Sequence, residues 1–210
     1  YKNLSNQPPL ERAYQMRYVS FWGKTITTMF KKLENNRPFI KMAFQGFAGD
    51  GKTYTAVQCA IGLHKQIGSK KPIAIFDTEK AAKALIGVFA DAGIECVVDD
   101  EHRSLKALNE AIAWCENGGS DILVIDSITH VWRDAQESYL SKVNKGLKSR
   151  GKKEIASLEF HHWRPIKQAW ADFTDRFLSS KMHVIVCGRA GNVYEYQDKN
   201  DGSGKKELIT

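Results

Sequence analysis

The chain has 210 residues, of which 42% are hydrophobic and 26% charged, a balance that excludes a disordered or fibrous polypeptide and fits one ordinary domain. No stretch approaches the roughly 18 apolar residues of a membrane helix, and the first residues do not read as a signal peptide, so no membrane partner is expected. A net charge of +7 favours an anionic partner: nucleic acid, nucleotide or an acidic surface.

Residues 1–38 read as an N-terminal appendage, in which Ile26, Met29, Phe30 and Leu33 share one helical face. Residues 39–210 read as a single core of repeated strand–turn–helix units. "IKMAFQ" is a first strand; a Gly-rich turn leads into a helix over Lys52 to Ile67, stopped by Gly68. "PIAIFD" is a second strand, followed by a helix over Ala81 to Ala92 that ends at Gly93. "IECVV" is a third, after which Ser104 caps a helix carrying Leu105, Leu108, Ala111, Ile112 and Cys115. "ILVID" and "HVIVCG" are the fourth and fifth strands. Strands alternating with helices predict an α/β fold, a mostly parallel sheet with helices on both faces. Residues 129–181 form a long insertion; its second half places Ile166, Ala169, Trp170, Phe173 and Phe177 on one helical stripe. The C-terminal "VYEYQDKNDGSGKKELIT" reads as a β-hairpin. Cys59, Cys96, Cys115 and Cys187 are scattered without a CxxC pair, as expected of small buried hydrophobes in a reducing cytoplasm.

"GFAGDGKT", Gly46 to Thr53, matches GxxxxGK[ST] between a strand and a helix, the context that makes a P-loop. Its backbone N–H groups and the helix N-terminus suit phosphates. Gly46, Gly49, Asp50, Gly51, Lys52, Thr53 and Tyr54 are therefore the candidate ATP-binding residues, with Lys52 reaching the β and γ phosphates and Thr53 ligating Mg²⁺. "ILVIDS" supplies the second half: Asp126 ends a buried strand and can support the same Mg²⁺. Ser127 follows it, where many P-loop ATPases place a glutamate, so either the protein hydrolyses poorly or its base comes from elsewhere. Asp77 ends the second strand and Glu79 stands just beyond it, and spacing alone leaves both open between helix capping and catalysis.

The order "GFAGDGKT", "IFDTEK", "ILVIDS", "HVIVCGR" is similar to that of the RecA-like P-loop ATPases. The short core, the "DTE" and the tryptophan-bearing insertion resemble phage nucleotide-binding proteins of RecA type, some of which are single-strand annealing recombinases. The resemblance covers about Phe39 to Tyr196 and leaves the appendage outside. It implies ATP hydrolysis with Glu79 as catalytic base, in the cytoplasm of a bacterial or phage-infected cell. Arg189 matches the polar sensor of the γ-phosphate; a sensor, an arginine finger and a plain acid partner all stay open for it. The family also implies single-stranded DNA as partner, self-association into a filament or ring, and trans-acting basic residues on a late hairpin, here Lys205 and Lys206. Lys142, Lys145, Lys148, Arg150, Lys152 and Lys153, without an acid among them, are the candidate DNA-contacting loop; a solvated surface loop is the plainer alternative. Trp132 and Tyr139 flank it as base stackers or core residues. A P-loop small-molecule kinase and an ATP-gated defence or packaging protein that binds no DNA remain rival readings.

Overall fold

The computed structural model describes residues 38–191, 195–198 and 206–209. The chain divides into residues 1–37 and 38–210, and all described residues belong to the second part. The expected helix of the appendage and Lys205 lie outside them.

Five strands, β1 (Lys41–Gly46), β2 (Ile73–Asp77), β3 (Cys96–Asp99), β4 (Ile122–Asp126) and β5 (His183–Arg189), form one sheet in the order β1-β5-β4-β2-β3. Every pairing is parallel. The expected α/β architecture is therefore present, and its five-stranded sheet is wholly parallel. The helices between strands are α1 (Lys52–Ile67), α2 (Ile86–Ala92) and α3 (Leu105–Trp114); α4 (Ile128–Lys148) and α5 (Trp163–Ser179) follow β4.

Side chains that alternate along each strand feed two cores. Ile73, Ile75, Ile122, Val124 and Ile185 face α1 and α2, meeting Ala56, Val57, Ala60, Ile61 and Phe89. Ala74, Phe76, Leu123, Ile125 and Val184 face the opposite side, meeting Leu108, Ile112, Val131 and Phe173. With helices on both faces, β2 and β4 are buried at every position, which is why they read as unbroken apolar runs. Truncating a wholly buried residue such as Phe76 or Ile125 to Ala would cost about 2–5 kcal/mol. Cys115 and Cys187 are buried, and burial pushes both thiols up to about 12.

Three expected segments differ. The helix predicted over Ala81 to Ala92 is a 3-10 turn, Ala82–Leu85, followed by α2. Asp77 causes this: its Oδ2 accepts the Ala82 N–H at 2.8 Å, while Lys80 takes a left-handed φ of 58°. The third strand begins later than predicted, at Cys96. The candidate DNA-contacting loop is largely helix: Lys142, Lys145 and Lys148 occupy the last turns of α4, and Arg150, Lys152 and Lys153 the chain beyond it. Basic residues there complement the helix dipole.

In the insertion, Trp132 packs edge-on against Trp170 at 4.8 Å and near Trp163 at 6.4 Å, a packing role rather than a free stacking surface. Tyr139 lies 6.0 Å from the His162 ring. The expected hairpin is present as an antiparallel pair, β6 (Glu195–Asp198) with β7 (Lys206–Ile209), and Lys206 is the first residue of β7. Among the described residues no helix is long and apolar enough to cross a membrane.

Candidate nucleotide site

Register brings the carboxyl ends of the strands together: Gly46 pairs with Arg189, Asp126 with Cys187, and Asp77 with Asp126. Beyond the β1 end, Gly49 and Gly51 hold φ of 91° and 76°, a backbone that L side chains rarely adopt. These two reversals turn the loop into α1, whose first turn carries Lys52, Thr53 and the exposed Tyr54. Asp50 braces the loop: its Oδ2 accepts the Phe47 N–H at 2.6 Å. Lys52 Nζ donates to the Phe47 carbonyl, which lays the ammonium across the loop. The other end is tied to the sheet, where the Ala190 N–H donates to the Gly46 carbonyl at 2.9 Å.

Thr53 and Asp126 meet directly: Thr53 Oγ1 donates to Asp126 Oδ2 at 2.5 Å. Asp126 is 1% exposed, and burial pushes its carboxyl above the usual carboxylate value, with the Thr53 hydroxyl acting against that rise. A hydroxyl and a carboxylate, both oxygen donors, are what Mg²⁺ prefers in a site it shares with phosphates and water. The residues present therefore fit the ion.

Glu79 and Arg189 also meet. Arg189 Nε donates to Glu79 Oε1 and Nη2 to Oε2, both at 2.7 Å, a bidentate pair. The guanidinium holds the Glu79 carboxyl below its usual value, and Glu79 in turn raises Arg189. Ser127 is buried without a hydrogen bond to its Oγ among the described residues, yet it lies near enough to favour the ionised Glu79. Asp77 takes the other sequence alternative: Oδ1 accepts the Glu79 N–H at 3.1 Å while Oδ2 holds Ala82, so it is a turn-fixing residue.

Three residues for which no catalytic role is expected from the sequence hold this end of the site. Thr78 Oγ1 accepts the Ser127 N–H at 2.9 Å and lies 3.0 Å from His130 Nδ1. Thr129 Oγ1 accepts the Arg189 N–H at 2.9 Å. Their partners lie 49 to 60 residues away, so no local pattern marks them; a polar residue between Asp77 and Glu79 was the one available hint. The six basic residues of 142–153 are not brought here. Lys148 closes the 21-residue α4, about 30 Å from its start, and the face that carries Lys142 and Lys145 also carries Asp134 and Glu137.

The apolar cavities lie elsewhere: a groove of about 330 Å³ beside edge strand β3 is lined by Phe76, Val98, His102 and Trp114. The P-loop is open to solvent instead, which leaves its backbone N–H groups accessible to a phosphate chain.

The strand order, the P-loop and the paired Thr53 and Asp126 define a RecA-like α/β P-loop nucleotide-binding protein. Residues 39–209 match the family model described as AAA domain (AAA_24), and the chain belongs to that family of P-loop ATPases. No curated protein sequence matches it. A solved KaiC-like protein from the hyperthermophilic archaeon Pyrococcus horikoshii is similar, with 15% identity and a TM-score of 0.46, over 80% of this chain and 76% of that one.

Proposed function

We propose that the chain binds ATP with Mg²⁺ and hydrolyses it, and that this turnover serves single-stranded DNA in annealing or recombination. The observation that carries the first half is the convergence of Lys52, Thr53, Asp126, Glu79 and Arg189 at one end of the sheet. The backbone N–H groups of Gly49 to Thr53 bind the phosphates, and Lys52 neutralises the β and γ oxygens. Thr53 and Asp126 hold Mg²⁺, which supplies positive charge against the phosphate oxygens. Glu79 accepts the proton of the attacking water; the buried Ser127 has no such capacity. Arg189 meets the γ-phosphate. Catalysis of this kind is mainly positioning and charge stabilisation.

DNA enters through the family resemblance, the net charge of +7 and the basic end of α4. Self-association into a filament or ring, with Lys205 and Lys206 acting on a neighbouring site, belongs to the same reading. The test is Mg²⁺-dependent ATP hydrolysis with and without a single-stranded oligonucleotide at low salt. Stimulation supports the reading; hydrolysis indifferent to DNA removes the DNA half, and no hydrolysis removes the rest.

A further inference from the structure

The two groups given opposite tasks on the water and the γ-phosphate neutralise one another. Arg189 spends two N–H donors on Glu79, and both carboxylate oxygens are taken. The pair is only partly open to water: the Glu79 side chain is 18% exposed and that of Arg189 39%. The start of helix α4 contacts the residues around it. Thr129 holds the Arg189 backbone, and the next residue, His130, faces Thr78 beside Glu79.

We propose that Arg189 determines triphosphate-over-diphosphate specificity by exchange: its guanidinium leaves the Glu79 carboxylate for a γ-phosphate, and that exchange frees Glu79 for the water. This rests on the proposed function. A bound ligand shifts such an equilibrium only through a differential interaction with the two arrangements. A γ-phosphate supplies one, because its charge and its oxygens suit the same guanidinium fork. A diphosphate has no γ-phosphate to offer, so the pair stays closed and Glu79 stays engaged. Futile water activation beside a bound product is thereby suppressed.

The consequence is a competition that binding alone can read. The affinities of a non-hydrolysable ATP analogue (the β,γ-imido compound) and of ADP, each with Mg²⁺, are measured by calorimetry on the full chain. The proteins are wild type, Glu79→Gln, Arg189→Gln and the double variant. Removing the carboxylate charge frees Arg189, so Glu79→Gln is expected to bind the analogue about two- to fivefold more tightly, the range of a partly exposed ion pair, with ADP affinity unchanged. In the Arg189→Gln background the same substitution is expected to have no effect. Equal tightening in both backgrounds would mean simple repulsion between Glu79 and phosphate and would overturn the exchange. So would tightening of ADP as well, or no change at all. Hydrolysis separates the two levels. If Glu79→Gln hydrolyses ATP at the wild-type rate, or the wild type binds neither nucleotide, the proposed function fails and takes the exchange with it. If hydrolysis depends on Glu79 but the analogue shows no coupling to Arg189, the exchange alone fails.

Discussion

Thr78 and Ser127 fasten the two strands that carry the site: the Ser127 N–H donates to Thr78 Oγ1 at 2.9 Å, and the Thr78 N–H returns to the Asp126 carbonyl at 2.6 Å. The link sets the separation between Glu79, one residue on from Thr78, and Asp126, one residue before Ser127. Thr78→Val keeps the shape and leaves the Ser127 N–H without its acceptor, a loss of about 1–3 kcal/mol. The expected outcome is a kcat about tenfold lower with KM little changed, and recovery in Thr78→Ser. Steady-state kinetics of the three proteins check it; an unchanged kcat in Thr78→Val contradicts it.

Lys52 and Thr53 separate phosphate binding from metal binding. Lys52→Ala removes the ammonium that lies across the loop, and nucleotide affinity is expected to fall about tenfold or more, with or without Mg²⁺. Thr53→Ala removes the hydroxyl bonded to Asp126, so the loss is expected to appear only when Mg²⁺ is present. Titration of a fluorescent nucleotide in Mg²⁺ and in EDTA distinguishes the two patterns.

The Glu79–Arg189 pair gives stability a pH dependence of definite sign. Hydrogen bonds from Arg189 hold the folded carboxyl below its ordinary value of 4.5. As pH falls, the unfolded chain takes up that proton first, so the pair's contribution is present above 4.5 and lost as pH drops through the folded value. Glu79→Gln cannot ionise. Wild type is expected to melt about 1–3 °C above it near neutral pH, with the gap closing in acid. Paired thermal melts across pH measure this, and a gap that widened in acid would contradict it.

The basic end of α4 carries an electrostatic prediction. If all six basic residues contact phosphate, log affinity for a single strand falls against log salt with a slope of about −4. Replacing Lys142, Lys145 and Lys148 by Gln is expected to bring it to about −2. A slope that ignores the substitutions would place the DNA elsewhere on the molecule.

Much of this was legible in the sequence, and the misses have physical causes. The P-loop, α1 and the buried strands announce themselves because each is a local pattern: glycines at the turn and apolar runs closed on both faces. Helix α4 is not legible in the sequence because it contributes only Val131 to the fully buried core; an exposed helix has little apolar periodicity to read. The turn after β2 was misread because Asp77 takes the Ala82 N–H and Lys80 reverses the chain, neither of which is a helical signal. A place for Arg189 near the γ-phosphate is what the family resemblance implies, and its partner is not visible in the sequence: Glu79 lies 110 residues away, brought close only by the strand order.

Single-turnover hydrolysis of ATP by wild type and Glu79→Gln, both with Mg²⁺ and with nucleotide binding measured alongside, bears most directly on the central assignment. Loss of a general base predicts a rate lower by at least about 100-fold with nucleotide still bound. Hydrolysis by Glu79→Gln at the wild-type rate would contradict it.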